Sequence, residues 1–182
     1  MVSVRSLPLT GPLLIELTRY EDPRGSFCET WNAQDSAYFD LPVWVQENSS
    51  TSGQGVLRGL HFQSTPGQAK LVRCSSGRIW DCMVDLRPDS STYGQWCAVE
   101  LDAHQPQWLY IPVGFAHGFC VLSDQAIVDY KVSQRYNPAE ERTLRWDDPS
   151  LQIAWPIQQP LLSERDRLAP GWHQVREELV CG

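Results

Sequence analysis

The chain has 182 residues, of which 42% are hydrophobic and 20% charged, and its formal net charge at pH 7 is −7. This composition fits one globular domain of ordinary size, and the acidic balance disfavours general binding to nucleic acid or to anionic membranes. The first ten residues lack the pattern of a signal peptide, and no apolar run is long enough to span a membrane. We therefore expect a cytoplasmic protein.

Strand-like runs dominate the chain, and turn signals rich in Gly, Pro, Ser and Asp separate them. A short helix is predicted first, at residues 33–39, and strands then follow at 55–63, 70–73, 78–86, 95–101, 107–111, 118–122 and 125–132. Closely spaced short strands of this kind predict an all-β antiparallel sandwich or barrel of the jelly-roll type. The pattern Ser-x-x-Asp at 163–166 indicates a second short helix, and the residues from Gly171 onward are expected to form a loosely attached tail.

Six cysteines are spread along the chain without a Cys-x-x-Cys pair: Cys28, Cys74, Cys82, Cys97, Cys120 and Cys181. Several of them lie in apolar, strand-like runs. This distribution predicts buried free thiols in a reducing compartment rather than a disulfide framework or a zinc site.

The strand-like run from 55 to 73 contains Arg58, His61 and Lys70, although the chain has only two lysines against thirteen arginines. A buried, unpaired cation is costly, so a lysine in a strand near a histidine indicates a site with a base and an anion-stabilising cation. The alternative is a histidine that is hydrogen-bonded in the core and a lysine that reaches solvent from a sheet edge.

Tyr130 and His117 are further candidates for this site. Tyr130 shares strand parity with apolar residues and is expected to face the interior, where its hydroxyl is either functional or simply hydrogen-bonded. His117 ends a hairpin-like stretch. Neither His61 nor His117 belongs to the local cluster of histidines and a carboxylate that metal-binding barrels use, so no metal site is predicted.

Seven blocks of the sequence, in order and at matching spacing, resemble the dTDP-4-dehydrorhamnose 3,5-epimerase family. They are GVLRGLHFQ at 55–63, KLVR at 70–73, VDLR at 84–87, YGQW at 93–96, IPVGFAHGF at 111–119, YK at 130–131 and LSERD at 162–166. The resemblance implies a cupin-type double-stranded β-helix, or jelly roll, with short peripheral helices. It implies a single domain over residues 1–182, with an N-terminal segment of about 1–50, a barrel of about 51–135 and a C-terminal segment of about 136–182.

Four catalytic roles follow from the resemblance. His61 corresponds to the base, Tyr130 to the acid on the opposite face of the sugar, Asp166 to the carboxylate that orients His61, and Lys70 to the cation beside the keto oxygen. Contacts with nucleotide, diphosphate or sugar are implied for Arg24, Glu29, Gln46, Glu47, Asn48, Arg58, His117, Glu141 (or its neighbour Glu140) and Arg165.

Two features of the sequence depart from what the resemblance implies. The family more often has Gln-Asp-Asn where this chain has Gln46, Glu47 and Asn48. A straight strand would also direct Arg58 away from the face that carries His61, unless Gly59 forms a β-bulge.

The implied reaction inverts C3 and C5 of dTDP-4-dehydro-6-deoxy-D-glucose to give dTDP-4-dehydro-L-rhamnose, a step of dTDP-rhamnose and cell-surface polysaccharide biosynthesis. Carbons next to a ketone are acidic, so a base can form an enolate and an acid on the other face can invert the centre without metal or redox cofactor. The resemblance also implies a homodimer in which residues 24–29 reach the partner's site. Two alternatives stay open: an epimerase of C3 alone or C5 alone, and a metal-dependent or non-catalytic sugar-binding cupin.

Overall fold

A computed structural model describes residues 3–181, with the side chains of all of these except residues 35, 38, 180 and 181. This part of the chain folds into short strands and three helices. They are β1 (Ser3–Ser6), β2 (Leu13–Glu16), β3 (Arg19–Asp22), β4 (Gly25–Cys28), α1 (Ala33–Tyr38), β5 (Gln46–Gly53), β6 (Leu57–Gln63), β7 (Lys70–Ser76), β8 (Arg78–Asp85), β9 (Trp96–Asp102), β10 (Gln107–Ile111), β11 (Phe115–Val121), β12 (Gln125–Val132), β13 (Glu141–Thr143), α2 (Glu164–Arg167) and α3 (Trp172–Cys181).

Two antiparallel sheets pack face to face. One has six strands in the order β1-β2-β10-β7-β12-β5, and the other has five in the order β13-β6-β11-β8-β9. From β5 to β13 the chain changes sheet at every step except the hairpin that joins β8 to β9. This alternation is that of a double-stranded β-helix, so the predicted jelly roll with short peripheral helices is confirmed.

An apolar core fills the space between the sheets, with Val72, Met83, Leu109 and Val128 among its buried side chains. The outer face of the five-stranded sheet is also covered, because the C-terminal third of the chain packs a second apolar cluster against it. Strand β8 is therefore buried on both faces beyond its first residues, which explains why its sequence does not alternate cleanly between apolar and polar positions.

The C-terminal residues form a packed helix, so the expected loose tail is wrong. Val175 of α3 is buried in the second apolar cluster, and Trp172 and Leu179 pack beside it. These three side chains lie on one helical face at spacings of three and four residues, and this stripe docks the helix. The backbone N–H of Trp172 donates to the carboxylate of Asp148 over 2.8 Å.

The two helices that the sequence predicted are confirmed as α1 and α2. Ser163 is the N-cap of α2, and its side chain accepts a hydrogen bond from the backbone N–H of Asp166 at 3.1 Å. None of the described helices is long and apolar enough to cross a membrane.

The cysteines with described side chains are free thiols: Cys28, Cys74, Cys82, Cys97 and Cys120. All of these except Cys28 are buried, and burial raises the pKa of Cys74, Cys97 and Cys120 to about 11. They are therefore held as neutral thiols, as predicted, while the side chain of Cys181 lies outside the described residues.

Candidate active site

A cavity of about 550 Å³ lies where strands of both sheets and the segment before α2 meet. Its walls are formed by Ser50, Val56, Leu57, Arg58, His61, Phe119, Tyr130, Leu161, Leu162, Ser163, Arg165 and Asp166. Five of these are residues to which the sequence assigned a functional role: Arg58, His61, Tyr130, Arg165 and Asp166.

His61 and Asp166 form a close hydrogen-bonded pair at this cavity. The distance from His61 Nε2 to Asp166 Oδ1 is 2.6 Å, and the Asp166 side chain is only 3% exposed. Burial alone would raise the pKa of Asp166, but hydrogen bonds from His61, Ser163 and the Gly59 backbone outweigh burial and lower it. An ionised Asp166 can only accept the hydrogen bond, so the neutral form of the His61 ring carries its proton on Nε2 and its lone pair on Nδ1.

A β-bulge turns Arg58 to the same cavity as His61. Strand β11 pairs His117 with His61 and Phe119 with Arg58, so three steps along β6 face two steps along β11. Gly59 makes this possible: its φ is +119°, and a Cβ there would lie 2.6 Å from the Cα of Gly118. The bulge that the sequence suggested at Gly59 is therefore present.

Lys70 lies buried next to His61, and its Nζ donates to the His61 carbonyl oxygen at 3.2 Å. Burial lowers the pKa of Lys70 to about 8, although the negative charges of Glu141 and Asp81 oppose the shift. At pH 7 the ammonium is thus largely charged, in a place where a charged group is poorly solvated.

His117 forms a second buried pair, with Asp81, which the sequence analysis missed. Its Nε2 lies 2.9 Å from each carboxylate oxygen of Asp81. Burial lowers the pKa of His117 even though Asp81 opposes this shift, so neutral imidazole is favoured. The signal was available: Asp81 shares strand parity with the apolar residues Ile79 and Met83, and a buried carboxylate needs a partner.

Tyr130 reaches the cavity from the other sheet. It lies on β12 directly opposite Asn48 of β5, whereas His61 lies on β6 of the five-stranded sheet. Burial and the charge of Glu141 raise the pKa of Tyr130, and Arg58 and a hydrogen bond with Asn48 partly oppose this rise. The phenol is therefore protonated at neutral pH.

The neighbours Glu140 and Glu141 have different surroundings. Glu141 Oε1 lies 3.4 Å from Arg165 Nη2, and its Oε2 accepts from Gln63 Nε2 at 3.4 Å. Glu140 instead accepts from the Ser64 hydroxyl at 2.5 Å, outside the cavity. Of the two, Glu141 is the one close to a residue of the cavity wall.

The cavity wall does not include eight of the predicted site residues: Lys70, Arg24, Glu29, Gln46, Glu47, Asn48, His117 and Glu141. Three of these have partners elsewhere in the chain. Arg24 lies at the tip of the β3–β4 hairpin, pairs with Asp22 over 2.6 Å and is 90% exposed. Glu29 accepts a hydrogen bond from Asn32 Nδ2. Glu47 pairs with Lys131 over 2.7 Å.

Strand alternation separates Glu47 from its two neighbours. Gln46 and Asn48 share the opposite face of β5, and Gln46 Nε2 donates to Asn48 Oδ1 at 2.8 Å. Asn48 in turn contacts Tyr130, so these two residues adjoin the site while Glu47 faces away.

Comparison with known proteins agrees with this geometry. Residues 6–174 match the family model described as dTDP-4-dehydrorhamnose 3,5-epimerase. The dTDP-4-dehydrorhamnose 3,5-epimerase of Methanothermobacter thermautotrophicus is 45% identical over 176 residues, which cover 94% of each chain.

Solved structures give the same result at the level of the fold. The crystal structure of dTDP-6-deoxy-D-glucose-3,5-epimerase from Legionella pneumophila, in complex with dTDP-4-keto-L-rhamnose, has a TM-score of 0.94 and 38% identity, covering 98% of this chain and 97% of that chain. A 3'-monoepimerase from Streptomyces bikiniensis, in complex with dTDP-quinovose, has a TM-score of 0.84 and 34% identity, covering 94% of each chain. The chain belongs to the dTDP-4-dehydrorhamnose 3,5-epimerase family.

Proposed function

We propose that this chain inverts C3 and C5 of dTDP-4-dehydro-6-deoxy-D-glucose and releases dTDP-4-dehydro-L-rhamnose. The observation that carries the proposal is that His61, paired with Asp166 of α2, and Tyr130 lie on different sheets around one cavity. Inversion by proton transfer needs a base on one face of the sugar ring and an acid on the other.

His61 is the proposed base. Asp166 holds the imidazole proton on Nε2, and Nδ1 takes the hydrogen from C3 or from C5 as a proton. The electron pair of the broken C–H bond forms a C=C double bond to C4, and the π electrons of the C4 ketone move onto its oxygen, which gives an enolate. The imidazolium that forms is stabilised by the ionised Asp166.

Lys70 is the proposed partner of the enolate oxygen. An ammonium has three donors, and the described contact with the His61 carbonyl uses one of them. A preorganised donor at a developing oxyanion contributes about 10²–10³ in rate. The buried position strengthens this interaction because water does not screen the charge.

Tyr130 is the proposed acid. Its hydroxyl proton goes to the carbanion carbon from the face opposite His61, the C4 ketone re-forms and the centre is inverted. Tyr130 and His61 then return to their starting protonation states by exchange with solvent. The same pair serves the second carbon after the ring has moved relative to it.

The arginines at the cavity are proposed to bind the diphosphate, because guanidinium groups make bidentate contacts with phosphate oxygens. Arg58 is held by its Nε bond to Ser52 Oγ at 2.9 Å, and Arg165 lies beside Glu141. Such a local basic pair allows a chain of net charge −7 to bind a dianionic ligand. We propose that Gln46, Asn48, His117 and Glu141 contact the sugar or the nucleotide.

A homodimer is proposed in which the β3–β4 hairpin brings Arg24 and Glu29 to the partner's cavity. Two-stranded hairpins are marginally stable alone, and on this hairpin Tyr20 pairs directly with Phe27, at 60% and 68% exposure. Apolar side chains grouped like this need a covering surface, which a second copy supplies by two-fold symmetry. The N-terminal segment, about residues 1–50, is the part proposed to pack across the dimer.

Incubation with dTDP-4-dehydro-6-deoxy-D-glucose in heavy water tests the proposed function. Deuterium at both C3 and C5, with formation of the L-rhamnose configuration, is the expected result. Deuterium at one carbon only would identify a single-centre epimerase. The similarity to the 3'-monoepimerase supports testing this alternative. Absence of exchange would contradict the proposal.

A metal-dependent cupin is the remaining alternative. In the described residues 3–181, no group of three His, Cys, Asp or Glu side chains is arranged to hold a metal ion. Treatment with a strong chelator is therefore expected to leave turnover unchanged, and loss of activity restored by zinc, iron or manganese would favour the alternative. The buried free thiols support our further proposal that the enzyme works in the cytoplasm.

A further inference from the structure

Strand β5 presents a row of polar side chains on one face: Asn48, Ser50 and Ser52. Same-face neighbours in a strand are separated by about 6.8 Å. The two ends of the row already have partners, since Asn48 Oδ1 accepts from Gln46 Nε2 and Ser52 accepts from Arg58 Nε; Asn48 also lies directly opposite Tyr130 in the sheet. The row thus connects the proposed acid with an arginine proposed to bind the diphosphate.

Ser50 stands in the middle of this row and has no such partner. It lies in the cavity wall, and its Oγ is buried without a hydrogen-bond partner among residues 3–181. The residue directly opposite on β12 is Val128, which offers no polar side chain. A buried hydroxyl without a partner is unfavourable, so its position in the cavity wall suggests a partner on the ligand.

We propose that Ser50 is a further substrate-binding residue, whose hydroxyl bonds an oxygen on the C1–C2 edge of the sugar. This inference rests on the proposed function. If Tyr130 acts at C3 and C5 while Arg58 binds the diphosphate on C1, the C2 hydroxyl and the phosphate oxygen at C1 lie between them on the C3 side of the ring. A serine hydroxyl can donate to either of these acceptors.

Ser49 provides a matched control on the same strand. It is the adjacent serine, but it faces the other way, where its Oγ donates to Asp129 Oδ1 at 2.7 Å. Replacing each serine by alanine removes the same atom from opposite faces of β5. We expect Ser50→Ala to lower kcat/KM about tenfold, the effect of one lost hydrogen bond, and Ser49→Ala to change it less than about twofold.

Thermal unfolding separates binding from a structural role. Because Ser50 Oγ makes no hydrogen bond with the part of the chain that the structure describes, Ser50→Ala should keep or raise the Tm of the ligand-free enzyme. The same variant should gain less Tm than wild type when dTDP-sugar is added. A lower ligand-free Tm, or a kcat/KM within twofold of wild type, would overturn the inference.

Two arms of the experiment identify the oxygen. A weaker affinity of Ser50→Ala for dTDP, measured by calorimetry, assigns the hydrogen bond to the phosphate. Unchanged dTDP affinity, with equal turnover of a 2-deoxy substrate analogue by Ser50→Ala and wild type, assigns it to the C2 hydroxyl. Turnover by wild type and by Ser49→Ala reports on the proposed function itself, so failure of that function is recognised separately.

Discussion

The cavity between the sheets and the β3–β4 hairpin differ in how far a single chain completes them. At the cavity, His61 and Asp166 form a hydrogen bond with each other, and the buried Lys70 behind the cavity wall donates to the His61 carbonyl oxygen. On the hairpin, the hydrogen bonds and the ion pair of Arg24 go to its own loop neighbour Asp22 among residues 3–181, and Phe27 is largely exposed.

This difference indicates that proton transfer depends on residues of one chain, whereas nucleotide binding by the hairpin depends on the proposed dimer. The groups proposed to move protons are positioned by one chain, because strands of both sheets carry them to the same place. In the proposed dimer, by contrast, the hairpin groups that hold the nucleotide come from a second copy. Variants at the cavity should therefore change the chemical step, while variants of the hairpin should change binding and respond to the partner subunit.

The largest effect is expected from His61→Asn. Asparagine has a similar size but cannot accept a proton, so exchange at both C3 and C5 should fall by about 10²–10⁴-fold. Deuterium incorporation followed by NMR measures this loss. The exposed His173 offers a control, and His173→Asn should exchange normally. Retention of more than a few per cent of the wild-type exchange in His61→Asn would remove His61 from the role of base.

Tyr130→Phe should abolish proton delivery to the enolate carbon while leaving proton removal by His61 intact. The ring is kept and only the hydroxyl is lost, so formation of inverted product should fall by about 10²-fold. Loss of a substrate hydrogen to His61 should persist, because the base is intact. Tyr93→Phe is the matched control: this hydroxyl is buried without a partner among the described residues and lies outside the cavity wall. Normal product formation by Tyr130→Phe would mean that another group delivers the proton.

Arg24→Ala tests whether the hairpin acts in substrate binding rather than in the chemical step. Loss of one guanidinium–phosphate contact should raise KM about tenfold with little change of kcat. Mixing Arg24→Ala with His61→Asn subunits then tests where the hairpin reaches. If it crosses to the partner, each mixed dimer has one intact site, and random mixing restores about a quarter of the wild-type rate when the rate is measured at substrate concentrations well below KM.

Failure of the mixture to gain activity would place Arg24 in its own chain's site, provided that subunit exchange is verified by a tagged subunit. A molecular mass of one chain by light scattering at micromolar concentration, together with full activity at that concentration, would contradict the dimer.

Local sequence patterns predicted strands β6 to β12, because each of these carries its own apolar signal, and missed β1 to β5 and β13. Strands β10 and β12 have the predicted bounds, and the bulge at Gly59 was foreseen from the need to turn Arg58 toward His61. Strand β11 begins three residues earlier than predicted, at Phe115, because it pairs with β8 along its whole length. Tertiary pairing, which no local pattern records, set that boundary.

Contacts between distant parts of the chain were beyond local patterns. The His61–Asp166 pair joins residues 105 positions apart, and only the family resemblance connected them. Helix α3 was missed because a short amphipathic helix owes its stability to the surface it covers rather than to its own propensity. Local patterns likewise could not show that Glu140 contacts Ser64 while Glu141 lies beside Arg165, because β13 brings different neighbours to each side chain.

The smallest effect is expected from pH, and it tests whether Lys70 acts as a cation. Burial lowers the pKa of Lys70 to about 8, so its ammonium loses the proton as the pH rises through this value. If the charge stabilises the enolate, kcat/KM should be halved near pH 8 and fall about tenfold per further pH unit. The buried thiols of Cys74, Cys97 and Cys120 cannot cause this alkaline limb of the pH profile, the fall in kcat/KM above pH 8, because burial raises their pKa to about 11. Burial also raises the pKa of Tyr130, which takes its phenol away from this range.

Arginine substitutions at the two lysines decide the assignment. Lys70→Arg carries a guanidinium that stays charged throughout this range, so the variant should be slower but should lose the alkaline limb near pH 8. Lys131, the only other lysine, pairs with Glu47 away from the cavity, and Lys131→Arg should keep the limb. A limb at the same pH in Lys70→Arg would assign the titration to a different group. The enolate would then be stabilised by hydrogen bonds that carry no titrating charge.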